Sequence, residues 1–183
     1  MKPYFLIILL LFIVSCNTSS ELEKIYNCKT KKSSNLKTVV DVKKQFSIKL
    51  PKHWNTNLYF DTGQTSIYSA DTTKELTKTI LLDVSFIYAP VVFDDAFKKK
   101  TYLANYTNQL KETTAKELTI LKKASYITIA KGTKKNYPYQ ISTIFIKLNN
   151  TNFILAKTEV YGDSLVKERF CKAFKLIDKI RLK

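Results

Sequence analysis

From Phe46 to Tyr161 apolar side chains recur mostly at every second residue, and no period constrains a fold more tightly than this one. Phe46, Ile48 and Leu50 alternate with Ser47 and Lys49, which places three apolar side chains on one face of a strand that Pro51 stops. Pro51-Lys52-His53-Trp54 then turns the chain. Strand-like segments follow at 57–60 and 65–70, joined through Asp61-Thr62-Gly63 as a hairpin. A longer strand over 79–88 carries Leu82, Val84, Phe86 and Tyr88 on one face and ends at Ala89-Pro90. Strand character returns at 118–129, with a turn over 132–136, and again at 139–148 and 153–161. The last two segments flank Asn149-Asn150-Thr151-Asn152, whose asparagines tolerate positive φ and suit a tight hairpin.

The period changes twice. Phe93, Ala96, Phe97, Leu103, Tyr106 and Leu110 recur at three- and four-residue steps, which predicts an amphipathic helix capped by Asp94 and running to Thr113-Thr114. After Gly162-Asp163-Ser164, the residues Val166, Phe170, Ala173, Phe174, Ile177 and Ile180 share one face of a second helix. Runs of strands with two lone helices predict an α+β fold, an antiparallel β-sheet flanked by helices. The 13% aromatic and 45% hydrophobic content excludes a disordered chain, and 3 Gly with 4 Pro excludes collagenous or low-complexity classes.

The N-terminus fixes a compartment. Lys2 precedes an unbroken apolar run over 4–14, and Ile13-Val14-Ser15-Cys16 closes it with a small residue before a cysteine, which resembles a bacterial lipoprotein signal. Eleven apolar residues at about 1.5 Å each fall well short of the ~30 Å hydrocarbon core. An ordinary secretory signal would end in A-x-A-like spacing, which Ser15-Cys16 lacks. The resemblance implies cleavage before Cys16, diacylglycerol on its thiol and acylation of the new terminus. The expected organisation is therefore a signal peptide over 1–15, a lipidated flexible tether over 16–38 and one domain over 39–183. Within the tether, 21–26 suggests a brief helical turn. The expected location is the cell envelope, with the lipid of Cys16 in the outer membrane.

Formal charge is +16, from 31 basic and 15 acidic residues, and Arg occurs only at Arg169 and Arg181. Lysines spread along the chain read as a solvated surface that attracts anionic surfaces, and they lack the bidentate geometry of a nucleic-acid reader. No nucleic-acid partner is expected. Once Cys16 carries lipid, Cys28 and Cys171 remain: they either pair, closing a loop of more than 140 residues, or leave Cys171 as a buried free thiol.

No residue cluster announces a reaction. His53 is the sole histidine and has no nucleophile at relay spacing, so no catalytic residue is assigned. Zinc would need further ligands at motif spacing, Asp61-Thr62-Gly63 lacks the oxygen series of a calcium loop, and Asp94-Asp95 reads as helix capping. Gly63, Gly132 and Gly162 are isolated, so no phosphate-cradling loop forms. Neither metal nor cofactor is expected. Among the aromatics, Trp54, Tyr59, Tyr137 and Tyr139 lie near strand ends and form the candidate interaction patch.

Phe46-Ser47-Ile48-Lys49-Leu50-Pro51-Lys52-His53-Trp54 is similar to the opening of PsbP-like domains, an aromatic strand followed by a proline and a tryptophan, and the order of elements agrees over 39–183. The resemblance implies a layered sandwich and a role as an assembly factor, a complex-stabilising subunit or a small lipoprotein, and it supplies no catalytic set. The functional expectation is a membrane-anchored, non-catalytic protein-interaction or complex-assembly module with an envelope protein partner. The alternative is a carrier or sensor of a small amphiphile held between sheet and helices, with an unrecognised hydrolase third. A carrier requires an apolar cavity of a few hundred Å³. An interaction module requires an exposed aromatic patch over a filled core, and a hydrolase requires His53 facing a nucleophile.

Overall fold

The computed structural model describes residues 20–29 and 35–183. Its strands are β1 (Leu36–Val40), β2 (Phe46–Pro51), β3 (Asn55–Phe60), β4 (Gln64–Ala70), β5 (Leu81–Ile87), β6 (Lys111–Ile120), β7 (Lys123–Lys134), β8 (Tyr137–Lys147), β9 (Phe153–Tyr161) and β10 (Arg181–Leu182). They form a three-stranded sheet in the order β1-β2-β10 and a seven-stranded sheet in the order β3-β4-β5-β9-β8-β7-β6, antiparallel throughout. The described helices are α1 (Glu21–Ile25), α2 (Asp95–Thr107) and α3 (Val166–Ile177), with a 3₁₀ turn at Leu76–Lys78.

The expected helix-flanked α+β fold is therefore corrected to a mostly β, sandwich-like fold, with 47% of residues in strands. Two local errors account for the difference. Helix α2 stops at Thr107, where Asn108 caps it and Gln109 takes φ 57°, so the strand begins at Lys111, inside the stretch to Thr113-Thr114 expected as helix. The predicted single strand over 118–129 is in fact a hairpin turned by Leu121 and Lys122, both in the left-handed region at φ 53° and 60°. Neither residue type signals such a turn. The turn predicted over 132–136 tightens to Lys135-Asn136, and β7 runs straight through Gly132. A Cβ at Gly132 would lie 2.8 Å from the Gln109 carbonyl oxygen, so this glycine serves a close approach of chains.

Register explains the core. Leu58, Ile67, Val84, Ala156, Ile144, Ile127 and Lys116 form one row across the large sheet, and all but the two edge residues are buried. This inner face shares one core with Phe46, Ile48 and Leu50 of β2 and with Phe170 and Phe174 of α3, which contacts both sheets. A one-residue step along each strand gives the opposite row, Tyr59, Ser66, Ser85, Leu155, Phe145, Tyr126 and Glu117.

The segment expected as a loose tether is ordered where it is described. Ser20 and Glu23 close a capping box, Leu22 is fully buried, and Tyr26 stacks on Phe170 at 5.5 Å with planes 5° apart. Cys28 and Cys171 are joined by a disulfide, Lys175 reaches Glu23 at 3.2 Å, and β1 begins at Leu36. Five helical residues are too few to display a period in sequence, yet Leu22, Ile25 and Tyr26 all pack on the core. Cys16 and the signal peptide expected over 1–15 lie outside the described residues.

Candidate functional site

Pro90 to Phe93 carries the chain from the end of β5 across the outer face of the large sheet, and Asp94 caps α2 by accepting from the Phe97 N–H at 2.8 Å. No residue of α2 is buried. The helix is held along one side only: Phe97 meets Phe145 edge-on at 4.9 Å and Tyr126 at 5.6 Å, Lys98 pairs with Glu117 at 2.7 Å, and Asn105 donates to Glu112 at 2.9 Å. Beside these contacts, and lined in part by Phe97 and Asn105 themselves, lies a groove of about 790 Å³. Ile141, Thr143 and Phe145 of β8 with Phe153 and Leu155 of β9 make its floor, Thr101, Ala104 and Asn108 of α2 its roof, and Val91 and Val92 one wall.

The groove is polarised. At one end Lys134 pairs with Glu159 at 3.2 Å and its ammonium lies 4.7 Å from the centre of the Tyr139 ring. Burial, then the charge of Glu159, pushes the Tyr139 phenol well above its ordinary range, so it stays neutral. Burial alone would lower Lys134, but Tyr161 and Glu159 outweigh it and the ammonium is held charged. Lys100 and Lys157 add positive charge at the rim. The arrangement can bury an apolar body and meet an anionic head; it presents no nucleophile.

A second concavity of about 640 Å³ lies where the segment 71–80, which holds the 3₁₀ turn, meets the start of α3, with Trp54 in its wall. His53 Nε2 stands 3.4 Å from Asp71 Oδ2. Among the described residues no hydroxyl or thiol is hydrogen-bonded to His53, and no group of three His, Cys, Asp or Glu side chains converges on a point. Burial raises the Asp71 carboxyl, but hydrogen bonds from the Thr73 hydroxyl and N–H, with His53 and Lys74 nearby, leave it below its usual range. A carboxylate held low stabilises the fold above its unfolded-state pKa and loses that contribution as pH falls through its folded-state value. Asp71→Asn is thus expected to flatten the loss of melting temperature below about pH 4, which thermal scans of both forms from pH 7 to pH 2 will check.

The four aromatics expected as one patch do not form one. Trp54 is 2% exposed and Tyr139 3%, whereas Tyr59 and Tyr137 are 55% and 43% exposed. Tyr59 lies on the edge strand β3, and β4, β5 and β9 separate it from β8, which begins at Tyr137. The physical cause is pairing: β8 is flanked on both sides, and the Tyr139 ring packs edge-on against Tyr161 at 4.9 Å. The groove was missed in sequence, although one signal exists. Ile141 and Phe145 face one side of β8 while Ile144 and Ile146 face the other, as in a strand covered on both faces.

No family model matches the chain, and no curated protein does. Solved structures match its fold. The solution structure of cyanobacterial PsbP (CyanoP) from Synechocystis sp. PCC 6803 is similar at 12% identity, covering 85% of this chain and 97% of that one, with a TM-score of 0.58. A protein from Bacteroides thetaiotaomicron VPI-5482 matches at 11% identity over 81% of this chain and 49% of its own, TM-score 0.53. LpqN of Mycobacterium tuberculosis, involved in cell envelope biogenesis, matches at 9% identity, covering 91% and 99%, with a TM-score of 0.49. The chain has a PsbP-like fold. No helix among the described residues is long and apolar enough to cross a membrane.

Proposed function

We propose that this chain is a non-catalytic binding module of the bacterial cell envelope, tethered through lipid on Cys16, which takes an elongated anionic amphiphile into the groove beneath α2. The observation that carries this reading is the groove itself: an apolar sheet face roofed by a helix that buries none of its own residues. Its volume falls within the roughly 300–1,000 Å³ of ligand clefts. Burial of apolar tail on Phe145, Phe153 and Leu155 supplies about 25 cal/mol per Å² before the cost of immobilisation. Lys100 and Lys157 suit a carboxylate or phosphate head, while Lys134 is already paired with Glu159. The PsbP-like fold adds analogy only, since fold does not carry function.

The test uses full-length protein purified from its own membranes. Ala104→Trp fills the groove from the roof, at an exposed position of α2. Native mass spectrometry should find an acyl-containing adduct on the wild-type protein and none on the variant, and an anionic naphthalene dye should bind the variant at least tenfold more weakly at equal melting temperature. Equal dye binding, with no adduct on either form, would sink the carrier reading. In the same preparation Cys16→Ser should move the protein to the soluble fraction; retention on membranes would remove the anchor.

A second reading, the assembly module, is favoured by one observation. Leu58, Tyr59 and Phe60 are exposed on β3, an edge strand with β4 as its one partner, which suits strand addition by an envelope protein.

A further inference from the structure

In its second half, helix α2 turns its apolar side chains away from its own sheet. Tyr102, Leu103 and Tyr106 follow Lys99 at helical spacing, which sets all four on one stripe. The stripe faces solvent: Tyr102 is 50% exposed, Leu103 46% and Tyr106 68%, and the two tyrosine rings stack on each other at 6.4 Å. After Phe97, the side turned to the sheet is the more polar one, with Thr101 lining the groove and Asn105 bonded to Glu112. A helix that served only to cover its sheet would show the reverse arrangement.

Unpaired lysine accompanies the stripe. Lys98 is engaged by Glu117 at 2.7 Å, whereas Lys99 and Lys100 enter no ion pair among the described residues. The acid on this side is Asp95, in the first turn, where the helix N–H groups favour negative charge and the tyrosines are a turn or more away. The mixture selects a kind of partner. Cores of protein interfaces are depleted in lysine, whereas tyrosine and leucine beside lysine suit a helix lying in the headgroup layer of an anionic bilayer. The placement of α2 agrees. Edge strand β6 holds α2 through the Lys98–Glu117 pair and holds the docked N-terminal segment through the Thr119 N–H and Glu21, two residues further on. A lipid on Cys16, four residues before Ser20, would thus bring the bilayer to the sheet edge along which α2 lies.

We propose that the outer face of α2 is a membrane-docking surface, which lays Tyr102, Leu103 and Tyr106 into the headgroups of an anionic bilayer. It rests on the envelope reading only for a bilayer within reach, and on the groove not at all. A short interfacial helix binds weakly alone; beside a lipid chain it is a second signal that fixes the orientation of the module.

Thr107→Cys puts a reactive thiol next to Tyr106 at an exposed position, since Cys28 and Cys171 are bonded to each other. Full-length protein purified from its own membranes is labelled with a nitrobenzoxadiazole fluorophore, wild-type protein serving as the blank. It is then added to vesicles of phosphatidylglycerol and phosphatidylcholine in equal parts, spin-labelled near the head of the acyl chains. Thr62→Cys, in the turn beyond the opposite edge of the sheet, is the reference. Quenching at position 107 should be at least threefold that at 62. It should fall to the reference level when Tyr102, Leu103 and Tyr106 are all changed to Ser at unchanged melting temperature, and should weaken at least twofold in Lys99→Glu. Equal quenching at 107 and 62, or quenching that survives the serine changes, overturns the proposal. So does a label shielded in native membranes but not in these vesicles, which would assign the face to a protein. Absence of a ligand in the groove leaves the readout untouched.

Discussion

Reduction of the Cys28–Cys171 disulfide lowers the stability of this protein by about 4–5 kcal/mol. The bond closes a loop of 143 residues, and the chain-entropy treatment gives roughly that figure for a loop so long. Its effect is also local. Helix α1 has five residues and cannot persist alone in water. It stays because Leu22 enters the core, Tyr26 stacks on Phe170, and Cys28 is bonded to α3 two residues after Tyr26. Urea unfolding of oxidised and reduced protein will measure the difference in midpoint at a shared slope. Limited proteolysis should cut near residues 24–29 only after reduction. If both midpoint and cleavage are unchanged, Leu22 and Tyr26 suffice to hold α1 and the bond is redundant.

The position of α1 matters for any tether. Among the described residues the chain is already attached at Ser20, because Ser20 donates to Asp178 and Glu21 accepts from the Thr119 N–H. A lipid on Cys16 would therefore sit four residues before the docked Ser20. Such a module lies close to its membrane, with lysine charge near anionic headgroups.

What could be read in the sequence follows from how local each signal is. The hairpins joining β3 to β4 and β8 to β9 were legible, since Asp61-Thr62-Gly63 and Asn149 to Asn152 carry turn chemistry between alternating runs. Asp61 accepts from the N–H groups of Gly63 and Gln64, and Asn149 from those of Thr151 and Asn152, as such residues do in turns. Strand β6 was not legible: Lys111–Ile120 is an edge strand with polar residues on both faces, so it lacks the alternation that burial imposes. Strand β1 hid inside a lysine- and serine-containing segment for the same reason. The groove and the concavity beside Trp54 are composite. Lys74 and Lys172 meet only because β5 pairs with β9 and α3 returns across them, a non-local relation that no spacing encodes.

Trp54 ties fold and site together, and its replacement separates two contributions. Trp54→Ala is expected to cost about 3–5 kcal/mol, the range for removing a large buried aromatic, because the ring is 2% exposed within the main core. Trp54→Phe should cost far less, about 1–2 kcal/mol. It keeps most of the apolar contact and removes an indole N–H that has no acceptor, and deleting an unpaired buried donor offsets part of the lost packing. Denaturant unfolding followed by circular dichroism will measure both variants, since the fluorophore is gone. A phenylalanine variant as unstable as the alanine one would mean that the indole N–H has a partner in solution, a buried water.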